Sequence, residues 1–437
     1  MTTNRSTTGL VLVLMALVPA QRTLAEGSNA PAILPEIVVT ATRIPENVEA
    51  IPASVQVIDS EALSKMNAVT VDEAIRTATG LDVQGGEFPG DASKINMRGL
   101  TTGFQSERVL VLMDGRRLND QYQGNTEFAL LPLDNVDRIE IVRGPASALY
   151  GSNAEGGVIN IITKKGTTTP ATLLSAAGGS HDTVRTLVSH GEKTGPFDYF
   201  LSASYLDTAG YTTNSDGSRR DWTDWNLNGN LGWEFGKDSE IRAYLGDYQG
   251  KGDDENSHRD VRNDYESAVY SLNWDPKRDA ELRVRAYRNG SRQEYDWKAG
   301  GESIYRQYTL GSEAQQSLWL GERQLATAGL DARVDSVDAD EVLQSFDKST
   351  TTLGVYGQDE VRLFERWRVT AGLRDDYNND FGSELSPRVG LLFQAAPTTE
   401  FYASANRAHR APAISDRRQR PNRSSTPRMA GQYHGCR

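Results

Sequence analysis

From Tyr199 to Gln394, apolar and polar side chains repeatedly trade places with a period of two, the spacing of strands with two unlike faces. In WNLNGNLGWEF, Trp225, Leu227, Leu231, Trp233 and Phe235 share one face, and Asn226, Asn228, Asn230 and Glu234 share the other. In AVYSLNWD, Ala268, Tyr270, Leu272 and Trp274 oppose Val269, Ser271, Asn273 and Asp275. YFLSASYLD, LRVRAY, WRVTAGLRDD and RVGLLFQ repeat the grammar. Segments of about ten residues with aromatics near their ends predict transmembrane β-strands, one face toward lipid and the other toward a lumen. A soluble sandwich or propeller alternates in the same way and is the competing architecture, although no blade-length repeat recurs. Acidic stretches such as GKGDDENSHRD, residues 250–260, read as external loops.

Residues 46–166 follow a different grammar, that of a small α/β domain. TVDEAIRTATG opens with the spacing of a capping box, Thr70 and Glu73, places Val71, Ala74, Ile75 and Ala78 on one helical face, and ends at Gly80. RVLVLMDG predicts a buried strand running into an Asp114-Gly115 turn. RIEIVRG alternates, with Ile139 and Ile141 opposite Glu140 and Val142, and GGVINIITKKG predicts a further strand.

Composition narrows the class. Hydrophobic residues make up 38% of the 437 residues, too few for a helical membrane protein, while 40 Gly, 17 Tyr and 7 Trp suit a β-rich chain with many turns. A net charge of −12 speaks against nucleic acid as a partner, since phosphate binding needs a basic surface. The lone Cys436 excludes an intramolecular disulfide. Arg5, the apolar run Leu10 to Val18 and the small residues Ala20 and Ala25 describe an export signal over residues 1–25. HExxH, GxSxG and Walker sequences are all absent, so no catalytic constellation emerges among the five histidines and the rest.

INMRGLTTGFQSERVLVLMDGRRLND and LPLDNVDRIEIVRGPASALYGSNAEGGVINIITKKG closely resemble the plug domain of TonB-dependent outer-membrane receptors, and FYASANRAHRAP resembles a later strand of the same family with His409 in place of Phe. The resemblance implies a transmembrane β-barrel with an N-terminal α/β plug in its lumen, exported to the Gram-negative outer membrane, that imports a ferric siderophore, a corrinoid or a similar metal chelate without a cofactor or enzymatic step. It further implies contacts with outer-membrane lipid and the barrel-assembly machinery. On this reading residues 26–45 are a linker containing the TonB box, Glu36, Ile37, Val38, Val39, Thr40, Ala41, Thr42 and Arg43, gripped by the periplasmic energy-coupling protein TonB through strand addition. The box has strand character, is flanked by Pro35, Pro45 and Pro52, and has no evident mate within the chain. An ordinary first strand of the plug is the alternative. The implied ligand contacts are the plug apices: Glu87, Phe88, Asp91, Ser93 and Lys94 in one, and Gln121, Tyr122, Gln123, Asn125 and Thr126 in the other. Plain surface loops would have the same composition. Arg98 and Arg143 fall where the family pairs plug arginines with barrel glutamates.

The family barrel has about 22 strands. After Gly166 this chain has room for about thirteen at roughly twenty residues per strand and loop, over residues 167–413. Residues 414–437 lose the alternation, and six arginines and one acid follow from Asp416 onward, which reads as an aberrant or frameshifted basic tail. The expectation is therefore an incomplete barrel whose open edges lipid would penalise. Too few residues precede Glu36 for an extra signalling domain. GDDEN, Gly252 to Asn256, reads either as a loop calcium site or as a solvated acidic turn, and the second is the commoner use of such sequence.

Overall fold

The computed structural model describes residues 37–38, 43, 46–48, 51–84, 93–100, 108–128, 131–215, 217–236, 238–253, 256–275, 280–342, 345–364, 366–396 and 399–415. The expected export segment and the tail from Asp416 lie outside them. Ahead of the plug stands a small antiparallel pair, β1 (Ile37–Val38) and β2 (Glu46–Asn47), in register Ile37 to Asn47 and Val38 to Glu46.

The plug follows as β3 (Ser54–Ile58), α1 (Ser60–Lys65), α2 (Val71–Thr79), β4 (Asp82–Gln84), β5 (Lys94–Asn96), β6 (Val109–Met113), β7 (Arg116–Arg117), β8 (Val136–Arg143), α3 (Ser147–Tyr150) and β9 (Gly157–Thr163). Five of these strands form one mixed sheet in the order β3-β8-β9-β6-β7, with β6 and β9 parallel. Helix α2 buries Val71, Ala74 and Ile75 and stops at Gly80, whose φ of 61° is the left-handed cap that glycine adopts without strain. The capping box forms only by half. Glu73 accepts the Val69 N–H at 2.8 Å, but the Thr70 hydroxyl bonds to Asp72 instead of capping.

All five residues of β6 are buried because both faces of its sheet are covered. Val109, Val111 and Met113 join a core with Ile75 and the barrel tyrosines Tyr244, Tyr248 and Tyr265, whereas Leu110 and Leu112 pack with Leu149 and the barrel's Tyr356. Each such apolar side chain contributes about 1.5–3 kcal/mol. The same enclosure changes β8. Glu140, on the face opposite Ile139 and Ile141, is fully buried and lies 2.9 Å from Arg138.

Thirteen strands then form one antiparallel sheet in strict sequence order: β10 (Ala171–Gly179), β11 (Thr183–Thr194), β12 (Phe197–Thr208), β13 (Trp222–Phe235), β14 (Ser239–Asp253), β15 (Ser257–Asp275), β16 (Ala280–Trp297), β17 (Glu302–Trp319), β18 (Gln324–Asp340), β19 (Ser345–Leu363), β20 (Trp367–Asn378), β21 (Gly382–Ala396) and β22 (Thr399–Asn406). The count matches the sequence arithmetic. Faces match too. On β13, Trp225, Leu227, Trp233 and Phe235 are exposed outward while Asn226, Asn228 and Asn230 are buried against the lumen side. Aromatics gather near one end of the outer face, with Trp233 beside Phe197 and Phe235, and Trp367 stacked on Phe393 at 4.3 Å. The acidic stretches expected as loops are largely strand. β14 continues to Asp253 and β15 begins at Ser257, so pairing persists beyond the apolar band. There the inward face stays buried at Ser257, Arg259 and Val261, but the outward face carries His258, Asp260 and Arg262 instead of apolar residues, so the apolar-polar signal fades while the backbone ladder continues.

Candidate functional site

Arg43, the last residue of the expected TonB box, is the first strong tie between the N-terminal segment and the barrel. Its backbone is left-handed, φ 64°, a conformation sparsely used by non-glycine residues. Its buried guanidinium pairs with the Glu313 carboxylate on β17, donates to the Tyr356 hydroxyl at 2.8 Å, and lies over the rings of Tyr150 and Tyr356 at 4.4 and 4.6 Å. The Gln315 amide donates to the Arg43 carbonyl at 3.1 Å, and Arg285 approaches the other Glu313 oxygen at 3.2 Å. Burial by itself weakens the Arg43 charge, and Glu313 together with Tyr356, Tyr150 and Asp331 more than reverses this, holding the guanidinium above its ordinary pKa.

Glu36, Val39, Thr40, Ala41 and Thr42 lie outside the described residues, while Ile37 and Val38 form β1. The expectation of a strand with no mate is therefore corrected: β2 supplies one. The pairing is only two residues long and stays apart from the plug sheet.

Among the described residues, Arg98 and Arg143 do not meet barrel glutamates as the resemblance implied. Arg98 donates to the Arg143 carbonyl at 3.1 Å, and Arg143 donates to Gln56 at 2.7 Å and to the Thr79 carbonyl at 2.9 Å. Their charge is spread over plug carbonyls and an amide, so they brace the plug itself. The cross-interface pairs sequence reasoning missed are Arg185 with Asp134, Arg259 with Glu127 at 2.7 Å, and Arg43 with Glu313, two of them with the arginine on the barrel. Neutral bonds join them: Asn230 donates to Thr163 at 2.8 Å, and Asn289 donates to the Arg117 carbonyl at 2.6 Å. Strand parity marks Arg259 and Asn289 as lumen-facing, but no spacing rule names a partner more than a hundred residues away.

Of the two expected apices, Glu87, Phe88 and Asp91 lie outside the described residues. Ser93 is no surface contact; it is buried, and its hydroxyl bonds Asp72 on α2. Lys94 opens β5 and is half-buried. The second apex is a tight turn organised by Asp120, whose carboxylate accepts the N–H groups of Gln123 at 2.7 Å and Asn125 at 2.8 Å. Burial pushes the Asp120 carboxyl up to about 6, against those bonds. Gln307 on β17 accepts the N–H groups of Gln121 and Tyr122 at 3.1 and 3.0 Å, and the Tyr122 hydroxyl donates to Glu341 at 2.7 Å. Gln123 is exposed, Asn125 half-buried, and Thr126 buried. Residues past β22 return to this turn: the N–H groups of Ile414 and Ser415 bond the carbonyls of Gln121 and Tyr122 at 3.2 and 3.0 Å.

At the other end of the plug, a cavity of about 320 Å³ separates it from the barrel wall, lined by Arg43, Asp114, Lys165, Arg242, Arg285 and Glu313 among others. Its lining is dense in paired charge. In the acidic turn, Asp253 bonds His258 at 2.7 Å, and Asp254 and Glu255 lie outside the described residues. Among the described residues no group of three or more His, Cys, Asp and Glu is placed to hold a metal ion.

Comparison with known proteins agrees with this two-part build. Residues 47–158 match the TonB-dependent receptor plug domain, and residues 198–432, more than half of the chain, match the TonB-dependent receptor-like β-barrel. The vitamin B12 transporter BtuB of Vibrio cholerae is 28% identical over 427 residues, covering 86% of this chain and 63% of that protein. The iron-regulated outer membrane virulence protein of the same species is 27% identical, covering 86% and 60%. Among solved structures, the siderophore receptor PirA from Acinetobacter baumannii superimposes with a TM-score of 0.70 at 18% identity, covering 82% of this chain and 61% of that one. The FrpB iron transporter from Neisseria meningitidis gives 0.71 at 18%, covering 84% and 66%. The chain thus spans about three fifths of the length of the sequence relatives it matches.

Proposed function

The chain belongs to the TonB-dependent receptor family, and on that premise we propose that it serves the energy-coupled import of a scarce metal chelate across the Gram-negative outer membrane, driven by a pull on the segment that ends at Arg43. The observation that carries this reading is the position of Arg43, between a two-residue strand pair and a buried barrel carboxylate. A two-residue ladder is weak, so an incoming strand of the periplasmic coupling protein can replace β2 as the partner of Ile37 and Val38 by main-chain hydrogen bonding. Force on that strand reaches Arg43 within five residues. Withdrawing Arg43 strips the cavity of one wall and leaves Glu313 to Arg285 and the Tyr356 hydroxyl, which loosens the plug at the end opposite the Asp120 turn.

A ferric siderophore or related iron chelate is the substrate supported by likeness to the iron-regulated virulence protein. A corrinoid is the second reading, favoured by the likeness to a vitamin B12 transporter. The exposed apolar outer face fits contact with outer-membrane lipid, and strands in simple sequence order fit insertion by the barrel-assembly machinery.

The test deletes Glu36 to Arg43 in the full-length receptor. Uptake of the chelate is expected to be lost while binding at the cell surface is retained. Uptake at the normal rate after the deletion contradicts energy coupling through this segment.

A further inference from the structure

Arg116 on β7 is a fully buried arginine without an acid. Among the described residues no carboxylate pairs with it, and its Nε and Nη1 make no hydrogen bond. Its third nitrogen, Nη2, reaches only the Met113 sulfur, at 3.3 Å. What holds the guanidinium is aromatic: its carbon lies 5.1 Å from the ring centre of Tyr244 on β14 and 4.7 Å from that of Tyr265 on β15. Asp114, two residues away, accepts the Thr163 hydroxyl at 2.8 Å, and the Tyr244 hydroxyl bonds Tyr248 and Asn228 at 2.5 and 2.9 Å. Contact with the rings offsets part of the cost of burying a charge but supplies no hydrogen bonds, so two donors stay unmet. A folded protein that keeps such a group needs a reason for it.

Its position supplies one. The seam between plug and barrel holds two voids, and Arg116 falls between them. Along β15, Asn263 and Tyr265 line a small void of about 30 Å³, and the next inward residues, Ser267, Val269 and Ser271, line the cavity of about 320 Å³ beside Arg43. On β16 the order is the same: Asn289 borders the small void, Arg285 and Arg283 border the large cavity, and Tyr287 stands between. On the plug hairpin Leu118 lines the small void and Gly115 the large cavity, with Arg116 in the interval. Tyr287 packs on Gly311 of β17, where a Cβ would collide with its ring. Plug and wall thus place one layer of rings and one guanidinium between two spaces on a single seam. The large cavity exists in the closed state because β15 presents only small side chains to it.

We infer that Arg116 is the gate of the import passage: clasped between Tyr244 and Tyr265 it closes the seam along β14 to β16, and import opens that seam by drawing the guanidinium out. The inference rests on the import reading and deepens it by locating the passage and naming the residue that shuts it. Arg43 lines the cavity that Arg116 borders, so its withdrawal makes room beside the rings. A guanidinium that turns into this polar space recovers the hydrogen bonds it lacks when clasped. A gate held by rings rather than by a carboxylate opens and recloses without breaking a buried ion pair.

The experiment reconstitutes the purified full-length receptor in liposomes and follows swelling in isotonic arabinose, with folding checked by heat-shifted gel mobility. The wild type is expected to stay sealed. Arg116→Ala should swell about tenfold or more faster, because removing the side chain joins the two voids. Arg116→Met fills the space without the charge and should also stay sealed. In urea just sufficient to let arabinose through the wild type, the Met variant should swell about tenfold slower, since an uncharged side chain is more stably buried. Arg143→Ala, which removes a brace inside the plug, should not leak without urea. A leaking wild type, or a folded Arg116→Ala receptor that stays sealed, overturns the inference. So does an Arg143→Ala receptor that leaks equally, because any loosened plug would then suffice. If Arg116→Ala does not fold, the Met variant decides: swelling in urea at the wild-type rate or faster refutes a charged gate. The import reading is judged separately, by the loss of uptake on deleting Glu36 to Arg43, and stands or falls whatever arabinose does.

Discussion

Arg43 concentrates two costs at one residue, a left-handed backbone and a buried charge, and Glu313 with Tyr356 offsets both. Removing one partner of a buried pair costs about 3–5 kcal/mol because the other charge is stranded. Glu313→Ala is therefore expected to release the N-terminal segment, read as faster thiol labelling of a cysteine placed at Val38, with the barrel still folded. Unchanged labelling would mean that the pair does not hold the segment. At Asp120 the expectation concerns pH. Its folded pKa, about 6, lies above the ordinary carboxylate value, so the folded plug binds this proton more tightly than the unfolded chain. Its contribution is thus least favourable above pH 6 and improves as pH falls from about 6 toward 4. Measured against Asp120→Asn by denaturant midpoints, the wild type should gain up to about 3 kcal/mol between pH 7 and pH 4. A difference that stays flat, or runs the other way, would show that Asp120 is not buried in the turn as described.

Helix α2 shows how far local sequence rules reach. Its buried face and its Gly80 stop were legible, because periodicity and the left-handed cap are properties of the segment alone. The capping partner was not, because Thr70 also bridges Pro132 and its hydroxyl turns to Asp72, which leaves Glu73 to cap Val69. Glu73→Ala should accordingly cost the plug about 1 kcal/mol in thermal or denaturant unfolding, and more than Thr70→Ala. The strands divide in the same way. Alternation revealed β13 and its outward tryptophans, but at the outer ends of β14 and β15 the outward face is polar as well, so the apolar-polar signal is missing although inward residues such as Ser257 and Arg259 are buried. Nor could sequence supply the partners of Arg98 and Arg143. A family resemblance transfers positions, whereas ion pairs such as that of Arg43 with Glu313 are made by the closing of the sheet around the plug across 270 residues.

At the scale of the molecule, the architecture is two solvents separated by one sheet, with a third environment, the plug surface, filling the inside. A charge on the outward face should therefore be penalised by depth in the membrane and a polar change on the inward face should not. Leu227→Arg is expected to cost about 2–4 kcal/mol in folding into bilayers, while Asn226→Ser on the opposite face changes stability far less. On the proposed reading, function depends on the plug yielding from the end at which Arg43 enters while the chelate is held at the other. The most direct measurement of that coupling locks the first step. Val38 and Glu46 are register partners, so Val38→Cys with Glu46→Cys in the full-length receptor can be closed by a disulfide across β1 and β2. Under oxidising conditions, chelate binding is expected to persist and uptake to stop, with reduction restoring transport. Undiminished uptake with the disulfide formed would contradict the requirement that this strand leave its partner before the plug can open.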